Sequence, residues 1–149
     1  MFNKSSYQPK EFEKDIYKEW EEKKYFHAQS DSSKKPFAIT MPPPNVTSQA
    51  HIGHALDGTM QDILIRFKRM QGYESAWMPG ADHAALATEH KLVEKLRNEG
   101  KTKEQIGREA FDKEAWAWYN HYGDRIMTQF KEMGFSADWE RYRFTMDEH

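Results

Sequence analysis

Apolar residues recur along this chain at two spacings. Between Ala50 and about Met70, the residues Ile52, Leu56, Met60, Ile63, Phe67 and Met70 follow at steps of three and four. That spacing gathers them on one side of a helix and predicts one buried stripe. Gly58 lies inside this helix at a propensity cost of about 1 kcal/mol against Ala, and Gly72 ends it. Ile106, Phe111, Ala115, Trp118, Tyr122, Ile126, Phe130 and Met133 form a second stripe. They predict one long helix, opened by a capping-box pattern at Thr102 and Gln105 and stopped by Gly134. Shorter helices are predicted from Pro9, with Phe12, Ile16 and Trp20 on one face, and from about Ala84 to Asn98. The runs PFAITM (36–41) and YESAW (73–77) are short, apolar and β-leaning, and predict strands. Tyr142 to Met146 suggests a third, and QSDSSKK (29–35) reads as a polar loop.

Strand, helix, strand, helix in that order predicts a parallel βαβ unit in a helix-rich α/β fold. Ligands in open α/β sheets bind beyond the carboxyl ends of the strands. The loops 42–50 and 78–83 leave that edge side by side, which places the turn holding His51 and His54 near Asp82 and His83.

The chain has 149 residues and a net charge of −2, which disfavours binding nucleic acid by charge alone. It has no cysteine, so disulfides, thiolate nucleophiles and cysteine-type zinc sites are excluded within it. No apolar run approaches the roughly 20 residues that a membrane helix needs. The N-terminus is polar, with early acidic residues, and reads as neither a signal nor a transit peptide. A cytoplasmic home is expected, with no membrane partner. Nothing in the pattern specifies an oligomeric state.

The candidate chemistry lies in PPPNVTSQAHIGH, residues 42–54. Three prolines stiffen a loop before binding, and two imidazoles then stand on the first turn of a helix. A helix N-terminus attracts phosphate through its unpaired N–H groups and partial positive charge. Ring N–H donors from His51 and His54 would add to that and act on charge developing at phosphorus. Gly53 leaves no side chain between them, so a base or sugar could approach the backbone. Asn45 and Thr47 offer polar groups just ahead of the helix. Neither a P-loop nor a G-x-G-x-x-G pattern is present.

HIGH (51–54), after a strand and opening a helix, resembles the signature of class I aminoacyl-tRNA synthetases. ITMPPPNVTSQAHIGHAL is similar to the valine-specific branch, and WMPGADHAALATE and DWERYRFTMDE resemble the segments that follow it there. The likeness runs from about Tyr7 to His149 and implies a partial Rossmann-like nucleotide-binding fold. It divides the chain into an N-terminal helix and linker (1–35) and the first part of the catalytic domain (36–149), ending before an editing insertion. It implies ATP contacts from Thr47, His51, Gly53 and His54, with the histidines catalytic. It implies an amino-acid pocket shaped by Pro43 and Asn45, with Asp82 on the α-ammonium. Valine, ATP and tRNA(Val) would be the partners, with Mg²⁺ arriving on ATP rather than in a protein cage.

Other readings stand beside these. His51 and His54 could bind a metal with Asp82 or His83, and Asp82 could cap the helix after it. The proline run could be a rigid linker. Trp116, Trp118, Tyr119 and Tyr122 could stack bases, although helical spacing favours core packing for Trp118 and Tyr122. His27, His90 and His121 read as surface residues. Against the family pattern, Ser48 stands for Gly, Ala81 for Thr, Ala85 for Gly or Ser, and Glu89 for Gln. Ser48 could also serve as a helix N-cap. No KMSKS loop, editing domain or anticodon-binding domain is present in the sequence. The competing function is a stand-alone module that binds ATP or an adenylate without aminoacylation activity.

Overall fold

The computed structural model describes residues 7–148. The first six residues, where the polar N-terminal stretch begins, and His149 lie outside the described residues. Strand β1 (Pro36–Thr40) and strand β2 (Glu74–Met78) pair in parallel, from Pro36 opposite Glu74 to Thr40 opposite Met78. Parallel strands need a long crossover, and helix α2 (Ile52–Met70) supplies it. The βαβ unit expected from the alternation is present. Past Pro79 the chain forms β3 (Gly80–Ala81), which pairs in parallel with β4 (Arg143–Phe144). The third strand suggested over 142–146 is thus only two residues long. A Cβ on Gly80 would stand 2.9 Å from the Arg143 carbonyl oxygen, so β3 and β4 approach this closely only with glycine there.

Helices α3 (Ala85–Asn98), α4 (Lys103–Ile106) and α5 (Arg108–Glu132) follow. The single helix predicted from Thr102 is corrected to two. The capping box forms, with Thr102 N donating to Gln105 Oε1 at 2.9 Å. Gly107, at φ 77° and ψ 168°, then breaks the run before α5 restarts. The α5 stripe does line the core through Phe111, Ile126 and Phe130, while Met133 at its end is exposed. Trp118 and Tyr122 are half-buried and packed, as helical spacing predicts. The main core joins Trp77 and Ala81 to Val46, Ile65, Phe130 and Phe135.

The α2 stripe is the largest correction. Ile52, Leu56, Met60, Ile63, Phe67 and Met70 all face outward, from 48% to 85% exposed. The face turned to the sheet instead holds buried Gly58 and Ile65 with half-buried polar residues. These polar groups are satisfied, which makes the arrangement stable. Trp77 Nε1 donates to Gln61 Oε1 at 2.9 Å, and Ser136 N donates to Asp62 Oδ1 at 2.9 Å. Arg69 donates to Ser136 Oγ and to the carbonyls of Ser136 and Phe26. Periodicity located the two faces of this helix without saying which one meets the sheet.

Helix α1 (Glu13–Glu22) departs from its predicted face at one position, since Phe12 and Trp20 are half-buried as predicted. Ile16 is exposed, and Tyr17 turns inward. Tyr17 donates to the Phe135 carbonyl at 2.6 Å and accepts from Trp139 Nε1 at 2.6 Å. Burial raises its phenol pKa. His27 is not the surface residue expected, for Nδ1 lies 3.2 Å from both Asp138 Oδ1 and Glu140 Oε2. Arg141 binds the same buried Asp138 at 2.5 Å and the Ala28 carbonyl at 2.8 Å. His90 and His121 are exposed.

Candidate functional site

The loop 42–50 leaves β1 and is held along its length. Met41 N donates to the Met78 carbonyl at 2.9 Å, continuing the β1–β2 ladder. Asp82 N donates to Pro44 O and Val46 N donates to Asp82 O, both at 2.9 Å, forming a parallel bridge at Asn45 and Asp82. Proline suits position 44 because its carbonyl serves as the acceptor and no N–H is required there. From the other side α5 clamps the loop: Trp118 Nε1 donates to the Val46 carbonyl at 3.1 Å, and Ala50 N donates to Gln129 Oε1 at 2.9 Å. The juxtaposition of loops 42–50 and 78–83 expected from topology is therefore present at residues 44–46 and 82.

The clamp ends at the first turn of α2, where His51 is the N-cap. Gly53 N donates to His51 Nδ1 at 3.1 Å, and His51 N donates to His54 Nδ1 at 3.2 Å. The two imidazoles thus cap the helix reciprocally, as Ser or Thr and Glu do in a capping box. Their ring centroids are 4.0 Å apart. Because each Nδ1 accepts a backbone N–H, the network assigns the proton of each neutral ring to Nε2. Burial, and secondarily the neighbouring His51, lowers the His54 pKa from 6.5 and favours that neutral form. A Cβ on Gly53 would stand 2.9 Å from His51 Cε1, so glycine there lets the His51 ring fold back onto its helix. Ser48 does not cap the helix; its hydroxyl donates to the Gln49 carbonyl at 3.3 Å, and the cap falls three residues later.

The remaining candidates gather at the start of the same loop. Pro43 lies across from Gly80, its Cβ 3.7 Å from where a Gly80 Cβ would stand. Asn45 is exposed and paired through its backbone to Asp82, and Thr47 is half-buried. Asp82 is not the N-cap of α3, since that position is Ala84, at φ 47° in the left-handed region. Its Oδ1 accepts from Ala84 N at 3.2 Å and from Thr145 Oγ1 at 3.1 Å. Thr145 Oγ1 also accepts from His83 N at 2.9 Å and sits 2.6 Å from His83 Nδ1. Thr145, Gln129 and Trp118 are positioning residues that sequence reasoning missed. Their partners are 63, 79 and 72 residues away, so no local pattern could reveal them.

Of the positions that depart from the family pattern, Ala81 is buried in β3, Ala85 begins α3, and Glu89 pairs with Lys103 at 2.5 Å. An open groove of about 600 Å³ between α3 and α5, lined by Lys91, Lys95, Trp118, His121 and Tyr122, includes none of the candidate site residues.

The model of tRNA synthetases class I (I, L, M and V) matches residues 15–149. The chain belongs to the class I aminoacyl-tRNA synthetase family. It is 56% identical over 144 residues to the valine–tRNA ligase of Carboxydothermus hydrogenoformans, covering 97% of this chain and 16% of that one. The valine–tRNA ligase of Clostridium perfringens is also 56% identical, over 145 residues with the same coverage. The synthetase segment described here thus spans 16% of the length of the curated relatives it matches. Among solved structures, Agrobacterium radiobacter K84 LeuRS, in a ternary complex with tRNA and LeuAMS, superposes with a TM-score of 0.77 at 21% identity. That match covers 95% of this chain and 16% of the LeuRS chain. It supports the Rossmann-like fold expected from the HIGH-bearing βαβ unit. Among the described residues, no helix of the synthetase segment is long and apolar enough to cross a membrane.

Proposed function

We propose that this chain is the N-terminal catalytic segment of a valine–tRNA ligase, which binds ATP and valine to form valyl-adenylate for transfer to tRNA(Val). Residues 1–35 act as helix and linker, and residues 36–149 form the first part of the catalytic domain. The parent enzyme works in the cytoplasm. One observation carries the reading: both histidines commit Nδ1 to the backbone at the start of α2, which leaves an Nε2–H donor on each. The valine carboxylate attacks the α-phosphorus of ATP, and pyrophosphate leaves with the electrons of the broken P–O bond. Charge moves onto phosphate oxygens in this step. The two Nε2–H donors and the N-terminus of α2 stabilise that charge without having to reorganise. Gly53 admits the adenosine, and Thr47 lies by the phosphates. Pro43 and Asn45 shape the pocket, and the Asp82 carboxylate pairs with the valine α-ammonium. Mg²⁺ arrives with ATP, as is usual for phosphate chemistry.

The second reading is a stand-alone module that binds ATP or an adenylate without aminoacylation. The test is binding of ATP and of a valyl-adenylate analogue by calorimetry, with valine-dependent ATP–pyrophosphate exchange alongside. His51→Asn keeps an N-cap acceptor but has no ring N–H, and His54→Ala removes the second donor. Each variant is expected to weaken analogue binding about tenfold, the effect of roughly one lost hydrogen bond to a charged group. Unchanged binding in both variants overturns the site. Exchange by the chain, alone or joined to the remaining length of a relative, selects the catalytic reading, and binding with no exchange in either form selects the module.

A further inference from the structure

Asp82 is joined to a hydroxyl 63 residues away. Strand β4 runs beside β3, and Thr145 N donates to the Ala81 carbonyl at 3.1 Å, which brings the Thr145 side chain level with Asp82. A hydroxyl has one proton and two lone pairs. Thr145 Oγ1 accepts from His83 N at 2.9 Å, and lies 2.6 Å from His83 Nδ1 and 3.1 Å from Asp82 Oδ1. The ionised Asp82 carboxylate can only accept, so the hydroxyl proton goes to Oδ1. Both lone pairs then face His83, and Nδ1 satisfies the second one only as a donor. The network therefore assigns the Nδ1–H form of His83. Each donor on His83 directs the Thr145 proton toward Asp82, so the bonds reinforce one another. The imidazole is fixed edge-on against the rings of Tyr119 and Phe144, at 6.3 and 6.4 Å between centroids.

The same contacts divide the Asp82 carboxylate. Oδ1 accepts from Thr145 Oγ1 and from Ala84 N at 3.2 Å, and lies 3.4 Å from His83 Nδ1. Among the described residues, every hydrogen bond and ion pair of this side chain falls on Oδ1. Oδ2 is left to a ligand, and the side chain is 34% exposed, so a ligand can reach it. We propose that Thr145, itself held by His83, is a positioning residue for amino-acid binding: it anchors Asp82 Oδ1 and so presents Oδ2 to the α-ammonium group. This role presupposes the pairing of Asp82 with the ammonium proposed above. The torsion that turns a carboxylate is broad, so an unanchored Asp82 would have to be ordered by the incoming amino acid. Thr145 does that ordering in advance. Among the described residues, its hydrogen bonds reach residues 81–83 and none reaches the first turn of α2. Its effect therefore falls on the amino acid and spares ATP.

The test uses this chain joined to the remaining length of the Carboxydothermus hydrogenoformans relative, with valine-dependent ATP–pyrophosphate exchange as the readout. Thr145→Val keeps the shape and removes the hydroxyl, and Thr145→Ser keeps the hydroxyl. Thr145→Val is expected to raise KM for valine about tenfold, the effect of one lost hydrogen bond to a charged group, and to leave KM for ATP within about twofold. Thr145→Ser is expected to restore most of that loss. Competitive inhibitors separate positioning from general damage. Inhibition by valinol, which keeps the ammonium, should weaken about tenfold in Thr145→Val, and inhibition by isovalerate, which lacks it, should be unchanged. An unchanged KM for valine, a joint rise in KM for valine and ATP, or a joint loss of both inhibitors overturns the role of Thr145. Asp82→Asn separates the two levels of the reading. A raised KM for valine in Asp82→Asn but not in Thr145→Val sinks Thr145 alone, and no rise in either sinks the Asp82 pairing as well. No exchange by the unsubstituted joined protein overturns the catalytic reading and this role with it. Should Thr145→Val fail to fold, nitrogen NMR of the imidazoles in this chain decides. His83 protonated at Nδ1 and not at Nε2 supports the network, and the opposite tautomer overturns it.

Discussion

Gly58→Ala is the substitution on which sequence and structure disagree in sign. On helix propensity alone, alanine in the middle of α2 stabilises by about 1 kcal/mol. In the fold, a Cβ there would stand 2.2 Å from Phe135 Cε2 and 2.4 Å from Cζ. Carbon atoms rest at about 3.5–4.0 Å, so the ring would have to retreat by more than an ångström. It has little room to do so. Phe135 is 2% exposed, with ring centroids at 5.4 Å to Trp77 and 5.2 Å to Phe130. Overpacking of this kind costs about 1–3 kcal/mol, and a clash this deep belongs at the upper end. After the propensity gain, Gly58→Ala is expected to destabilise by about 1–2 kcal/mol. For a chain of this length that lowers Tm by roughly 2–8 °C. Urea unfolding followed by tryptophan fluorescence measures it, with Tm from circular dichroism as a check. Phe135→Leu in the Gly58→Ala background should restore part of the loss, with a coupling of about 1 kcal/mol in the double-mutant cycle. A higher urea midpoint for Gly58→Ala would refute the reasoning, because α2 would then not be seated on Phe135.

Two further outcomes follow from the same contacts. Asp138 is 2% exposed, and its carboxylate takes both Arg141 and His27. Asp138→Asn keeps the volume and removes the charge, and should cost about 1.5–3 kcal/mol in thermal unfolding. No loss would mean that the segment 24–28 is held by other contacts. The pKa of His54 lies below its ordinary 6.5 because burial, and then His51, disfavour the cation. Its contribution to stability is therefore fully present above pH 6.5 and lost as pH falls through the lowered folded-state pKa. Protonation would also end acceptance of the His51 N–H. Urea midpoints at about pH 7.5 and 5.5 should fall further for the parent chain than for His54→Gln. An equal fall in both would remove His54 from the acid response.

The sequence by itself determined the parts whose causes are local. The spacing of apolar residues in 50–70 and the short runs at 36–41 and 73–77 were enough for a parallel βαβ unit, because helix and strand differ in period. Thr102 and Gln105 announced their capping box because both partners lie within one turn. Strand ends and turn residues were enough to set the loops 42–50 and 78–83 side by side, and the structure joins them at Pro44, Val46 and Asp82. What only the tertiary structure decided was orientation. A stripe on a helix does not say which neighbour it meets. α2 turned its polar side inward because Trp77, Ser136 and Phe26 supply partners drawn from distant parts of the chain. The same holds for the histidines, whose residue types were legible while the atom left free on each ring was not. That atom depends on where the backbone N–H groups of Gly53 and His51 point, and a hydrogen bond has a direction that a sequence does not write down.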